Sequence, residues 1–99
     1  MSQSRQLAAI MFTDIVGYTA LMGINEQKAF ELLKKNRRIQ KPIIEKFNGR
    51  WLKEIGDGVL ASFPTVTDAV YCAKEIQKTC QGETDLNLRI GIHLSLIHI

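Results

Sequence analysis

Hydrophobic and polar positions alternate between two periods along this chain. Leu7-Ala8-Ala9-Ile10-Met11-Phe12 is an unbroken apolar run closed by Asp14. Such a run predicts a short strand buried on both faces. Gly17 permits a tight turn, Tyr18 to Met22 suits one or two helical turns, and Gly23 is expected to stop them. Asn25 then reads as an N-cap, with Glu26 and Gln27 in the first turn of a long helix. Its apolar positions are Ala29, Phe30, Leu33, Ile39, Ile43, Ile44 and Phe47. Pro42 predicts a kink or short break, and Asn48-Gly49 a stop.

Period two returns in Arg50-Trp51-Leu52-Lys53-Glu54 and in Val59-Leu60-Ala61-Ser62-Phe63. The intervening Ile55-Gly56-Asp57-Gly58 predicts a hairpin. Pro64 closes the second strand, and Thr65 or Thr67 caps another helix that buries Ala69, Val70, Ala73 and Ile76. After a loop at residues 82–85, Leu86 to Leu94 reads as a last strand. The order β-α-α-β-β-α-β predicts an α+β fold, the ferredoxin-like split βαβ sandwich, with helices on one face of a mainly antiparallel sheet.

That topology puts the first strand at the centre beside the hairpin, so Asp14 and Asp57 fall at adjoining strand ends. Two neighbouring carboxylates can share hard cations with substrate phosphates. Backbone N–H groups at Val16, Gly17, Tyr18 and Thr19, opening a short helix, could cradle those phosphates. Lys53, four residues before Asp57, could reach a base or a phosphate. Each residue alone has a plainer reading. An Asp after a strand is commonly a turn or cap residue, Gly-Asp-Gly a common hairpin turn, and Lys53 a surface lysine. His93 and His98 read as strand fillers and Trp51 as core or interface. The joint placement of the two carboxylates is what favours a site.

Composition narrows this further. With 99 residues and 45% hydrophobic content, the chain suits one small domain with a modest core. Thirteen basic and ten acidic residues leave +3, too weak a balance to argue for nucleic acid. The basic cluster Lys34, Lys35, Arg37, Arg38 and Lys41 reads as the solvated face of the long helix. Cys72 and Cys80 stand eight positions apart on one predicted helix, about 12 Å of rise, too far for a disulfide. A reduced, cytoplasmic setting is expected. No signal peptide or membrane segment is expected either, since the run from Leu7 to Phe12 falls far short of the ~20 residues that span a bilayer.

Three stretches carry a family resemblance. Ile10-Met11-Phe12-Thr13-Asp14-Ile15-Val16-Gly17-Tyr18-Thr19 resembles the opening motif of class III adenylate/guanylate cyclase catalytic domains. Trp51-Leu52-Lys53-Glu54-Ile55-Gly56-Asp57-Gly58 resembles their second motif, and Leu88-Arg89-Ile90-Gly91-Ile92-His93 the strand after their third helix. The order and spacing match over residues 7–94. The resemblance implies that Asp14, Asp57 and the Ile15 carbonyl hold two Mg²⁺ or Mn²⁺ ions. It implies that the backbone of Val16, Gly17, Tyr18 and Thr19 binds the triphosphate, and that Lys53 recognises adenine, favouring ATP. The implied reaction is attack of the ribose 3′-hydroxyl on the α-phosphate, giving cyclic AMP and pyrophosphate, in a homodimer whose sites are shared. The family pattern continues beyond residue 94, with a second base-reading residue and the Asn and Arg that bind ribose and stabilise the transition state. Residues 1–99 therefore read as one partial domain, cyclase-like over 7–94, with 95–99 departing as a foreign tail would. On that reading the chain alone is expected to lack turnover and to associate through uncovered apolar faces of the sheet and of the helices around Phe30, Leu33, Ile39 and Ile43. Two other readings stay open: a non-catalytic cyclase-like nucleotide-binding regulatory module, and a palm-like enzyme such as a diguanylate cyclase.

Overall fold

A computed structural model describes residues 5–98; expectations for residues 1–4 and for Ile99 lie outside it, as do the side chains of Arg5, Ile97 and His98. The elements are β1 (Arg5–Ile15), α1 (Tyr18–Ile24), α2 (Glu26–Lys46), β2 (Arg50–Ile55), β3 (Gly58–Phe63), α3 (Val66–Cys80) and β4 (Leu88–His98). The sheet order is β2-β3-β1-β4, and every pairing is antiparallel. This is the α+β, split βαβ arrangement expected from the element order.

Residues that oppose each other across antiparallel strands share a face. Ala9, Met11, Thr13 and Ile15 of β1 lie level with Phe63, Ala61 and Val59 of β3 and with Ile92, Ile90 and Leu88 of β4. This face packs against α2 and α3 through Leu32, Ile44, Ala69, Cys72 and Ile76. The opposite face carries Ile10, Phe12 and Asp14 of β1, Leu60 of β3, Lys53 of β2, and Arg89 and His93 of β4, and no helix covers it. The β1 run is therefore buried mainly on one face; on the other, Ala8 is buried but Phe12 is half exposed. An unbroken apolar run satisfies a one-sided strand equally well when the second face is itself apolar.

Several local expectations need correction. Gly23 does not stop α1, which continues to Ile24 and ends at Asn25. α2 runs unbroken through Pro42. Its buried stripe is Ala29, Leu32, Asn36, Gln40 and Ile44, so the seam contains two amides. Phe30 is exposed, whereas Leu33, Ile39 and Ile43 are partly buried against the core. β2 carries a bulge between Trp51 and Lys53, which breaks its alternation and leaves Leu52 exposed. In α3, Val70 is exposed and Cys72 takes the buried position instead. β4 starts at Leu88 and runs past Leu94 to His98, because Leu94, Ser95 and Leu96 continue the ladder opposite Ala9, Ala8 and Leu7. The basic cluster is not wholly solvated: Lys35 bridges Glu83 and Asp85, and Arg37 meets Glu54.

The caps follow the sequence closely. Asn25 Oδ1 accepts from the Lys28 N–H at 3.1 Å, and Thr65 Oγ1 from the Asp68 N–H at 3.0 Å. Asn48 takes φ 65°, and the Gly49 N–H reaches back to the Ile44 carbonyl at 2.8 Å, ending α2 in a left-handed turn.

Candidate active site

β1 delivers Asp14 to the end of the central strand, and the β2–β3 hairpin delivers Asp57 beside it. The hairpin turns over Gly56-Asp57, with Ile55 paired to Gly58 and Gly56 at φ 59°. A two-residue loop with Gly at its first central position matches the twist of the flanking strands. It also forces Asp57 to the tip. There, Asp57 Oδ2 accepts the backbone N–H of Ile15 at 2.8 Å. This bond ties the hairpin tip to the residue after Asp14, and the two carboxylates line one pocket with Phe12, Ile55 and Leu60.

The site has a resident cation. Arg89 lies directly across the β1–β4 ladder from Asp14, and its Nε donates to Asp14 Oδ1 at 2.8 Å. The hydrogen bond to Asp14, with the added field of Asp14 and Asp57, raises the Arg89 pKa above its ordinary value. Arg89 belongs to a stretch that the sequence singles out, but its role needs the β1–β4 register, which no local pattern carries. A second hidden feature lies behind the site. Thr13 points to the helix side, where Gln40 Nε2 donates to Thr13 Oγ1 at 3.1 Å and to Asn36 Oδ1 at 2.6 Å. All three are buried, and among the described residues no fully buried side-chain polar atom lacks a partner. Polar residues at helix spacing 36, 40 within an apolar stripe were the available signal.

The remaining expected residues are distributed as follows. Lys53 sits on the uncovered face, in the same cross-strand row as Leu60 and Phe12. Gly17, at φ 80°, precedes α1 and no side chain caps that helix. The Val16 N–H is already engaged by the Asn87 carbonyl at 2.9 Å, so it is not free for a phosphate. Val16, Gly17 and Thr19 are exposed, while Tyr18 packs partly against the core. Phe12 lies over Gly91, whose missing side chain makes room for the ring. Trp51 is partly buried against the core, and His93 is exposed on β4.

As a cation site, this is a two-carboxylate, all-oxygen one. Among the described residues no group of three or more His, Cys, Asp or Glu side chains comes together. Two carboxylates suffice for Mg²⁺ or Mn²⁺ when waters and substrate phosphates supply the other ligands, so the residues present fit such ions.

No family model matches the chain. A protein named "Putative adenylate cyclase 3", from Rhizobium meliloti (strain 1021), is 33% identical over 103 residues, covering 96% of this chain and 18% of that protein. The crystal structure of an adenylate/guanylate cyclase/hydrolase from Silicibacter pomeroyi is 36% identical, with a TM-score of 0.85 over 99% of this chain and 62% of that one. What the chain is similar to is the class III adenylate/guanylate cyclase domain, over part of its length. A bacterial light-regulated adenylyl cyclase shares the fold at a TM-score of 0.88 and 22% identity, covering 99% of this chain and 33% of that one. The chain thus spans under a fifth of its curated relative's length and about three-fifths of the Silicibacter structure. No described helix of the chain is long and apolar enough to cross a membrane.

Proposed function

We propose that this chain is the metal- and triphosphate-holding part of an adenylate cyclase that closes ATP to cyclic 3′,5′-AMP and releases pyrophosphate. The observation that supports the reading is the bond from the Ile15 N–H to Asp57 Oδ2, which ties the hairpin tip to the residue after Asp14, with both carboxylates lining one pocket. Asp14 and Asp57, with the Ile15 carbonyl, would hold Mg²⁺ or Mn²⁺. Such ions, when bound, acidify the 3′-hydroxyl and offset charge on the reacting phosphate. The chain's own share is positional. Asp57 stays put because the Ile15 amide holds one of its oxygens, and Asp14 because β1 is paired on both sides. Gly17, Tyr18 and Thr19 would offer first-turn N–H groups, which have no intrahelical partner, to the triphosphate. Val16 contributes through its backbone path, its N–H being tied to Asn87.

Lys53 would select the base. An ammonium donates hydrogen bonds and accepts none, which suits the ring-nitrogen acceptors of adenine and not the N–H edge of guanine. A homodimer with sites shared across the uncovered face is part of this proposal, as is a cytoplasmic setting. The 99-residue chain by itself is proposed to have no turnover, because the ribose- and transition-state-binding groups implied by the family lie beyond residue 94.

The test is product identity in the complete cyclase. With ATP and Mn²⁺, cyclic AMP and pyrophosphate should appear one to one; ADP and phosphate in their place would contradict the reading. In the same assay, Lys53→Glu should lower kcat/KM for ATP more than for GTP. An unchanged ratio would show that Lys53 does not read the base.

A further inference from the structure

We infer that Arg89 is a built-in placeholder cation: its guanidinium holds Asp14 Oδ1 and competes with a divalent ion for that carboxylate, so it sets the metal affinity of the site. The inference rests on the reading of Asp14 and Asp57 as metal ligands and adds a residue to it. Three observations carry it. Arg89 is register-paired with Asp14, so their side chains must share the uncovered face at adjacent-strand spacing. Its Nε takes Asp14 Oδ1 at 2.8 Å, the same oxygen type that a hard cation needs. Its side chain is 72% exposed, against 42% for Asp14, so it has room to swing away without breaking the core.

The physics is competition for one carboxylate. Without an ion, two adjacent carboxylates repel, and a guanidinium beside them relieves that repulsion. An incoming divalent ion that takes Asp14 Oδ1 displaces the guanidinium, and one that takes either oxygen sits near its positive charge. Both effects weaken binding, but each is reduced by solvent because the pair is open. Once displaced, the guanidinium lies free beside the site, where it can meet the negative charge that a triphosphate brings. The arrangement therefore disfavours the bare ion and favours the ion delivered together with nucleotide.

The test uses the 99-residue chain and Mn²⁺, with free Mn²⁺ counted by electron paramagnetic resonance, a readout independent of turnover and of assembly state. Arg89→Gln should bind Mn²⁺ alone about three- to tenfold more tightly than wild type. Arg89→Lys, which keeps the charge, should stay within about twofold of wild type. In the presence of ATP, the gain of Arg89→Gln over wild type should shrink or reverse. Wild-type binding that Asp14→Asn abolishes, together with unchanged or weaker binding in Arg89→Gln, would overturn the placeholder role and leave the metal site standing. Mn²⁺ binding that neither Asp14→Asn nor Asp57→Asn affects would overturn the metal site itself, and the placeholder role with it.

Discussion

Gly49 shows how a single position can be legible in the sequence for a partial reason. Asn48-Gly49 marks the end of α2, and the left-handed φ of 65° falls on Asn48. Gly49 is needed for space instead: a Cβ there would stand 2.7 Å from Ile44 Cγ2 and 2.8 Å from the Ile44 carbonyl oxygen. The backbone cannot yield as a side-chain tip can. Gly49→Ala should therefore destabilise the chain by about 1–3 kcal/mol, read as a lower urea midpoint at unchanged slope. Stability within about 0.5 kcal/mol of wild type would show that the α2–β2 corner is looser than described. At the candidate site, Asp14, Asp57 and Lys53 were legible because strand ends and a Gly-flanked turn have local signatures. Arg89 and the Thr13–Gln40–Asn36 network were not, since each is defined by a partner 27 or 75 positions away.

α3 illustrates what element-scale pattern conveys and what it misses. Helical spacing gave the element and a cap at Thr65 or Thr67, of which the structure uses Thr65, and it placed both cysteines on one helix. It did not say that Cys72 replaces Val70 on the buried face. Burial then defines the chemistry: it pushes the Cys72 thiol from an ordinary 9.0 up to about 12, and it raises Cys80 in the same direction. Both thiols are free and buried. In the folded chain neither should react with a thiol reagent at pH 8, and both should react once urea unfolds it. The stability consequence has a definite sign. A folded-state pKa above the unfolded one means that the folded chain holds its proton longer. Stability is thus fully present below about pH 9 and declines as pH rises toward 12. Cys72→Ala should flatten that decline; rapid labelling of native Cys72 at pH 8 would contradict its burial. α2 departed furthest from its pattern. Its seam is completed by Asn36 and Gln40, and amides inside an apolar stripe look like surface until their buried partners are known. Pro42 left the helix whole, since one missing N–H near its end does not outweigh the packing of Ile43 and Ile44.

For the whole molecule, the order of elements was enough to place β1 between β3 and β4, and hence to bring Asp14 to Asp57. The packing is one-sided. The helices cover one face of the sheet, and the other presents Phe12, Leu60 and Ile55 around the two carboxylates. β1 and β4 also run on beyond the six-residue strands β2 and β3, leaving Leu7, Leu94 and Leu96 about half exposed or more. These three leucines lie on the helix-side register of the ladder, opposite to Phe12 and Leu60, so the exposed apolar surface falls in two areas, each a usual setting for association. The area on the uncovered face surrounds the proposed site with surface that a second subunit could exclude from water. The central claim is that Asp14 and Asp57 act as one site. Its most direct test is cyclic AMP formation by the complete cyclase carrying Asp14→Asn or Asp57→Asn, each alone, at matched circular dichroism. Each substitution removes one ligand from a shared cation site, so each should lower kcat by at least about a hundredfold. Activity within about tenfold of wild type in either variant would contradict the pairing on which the account rests.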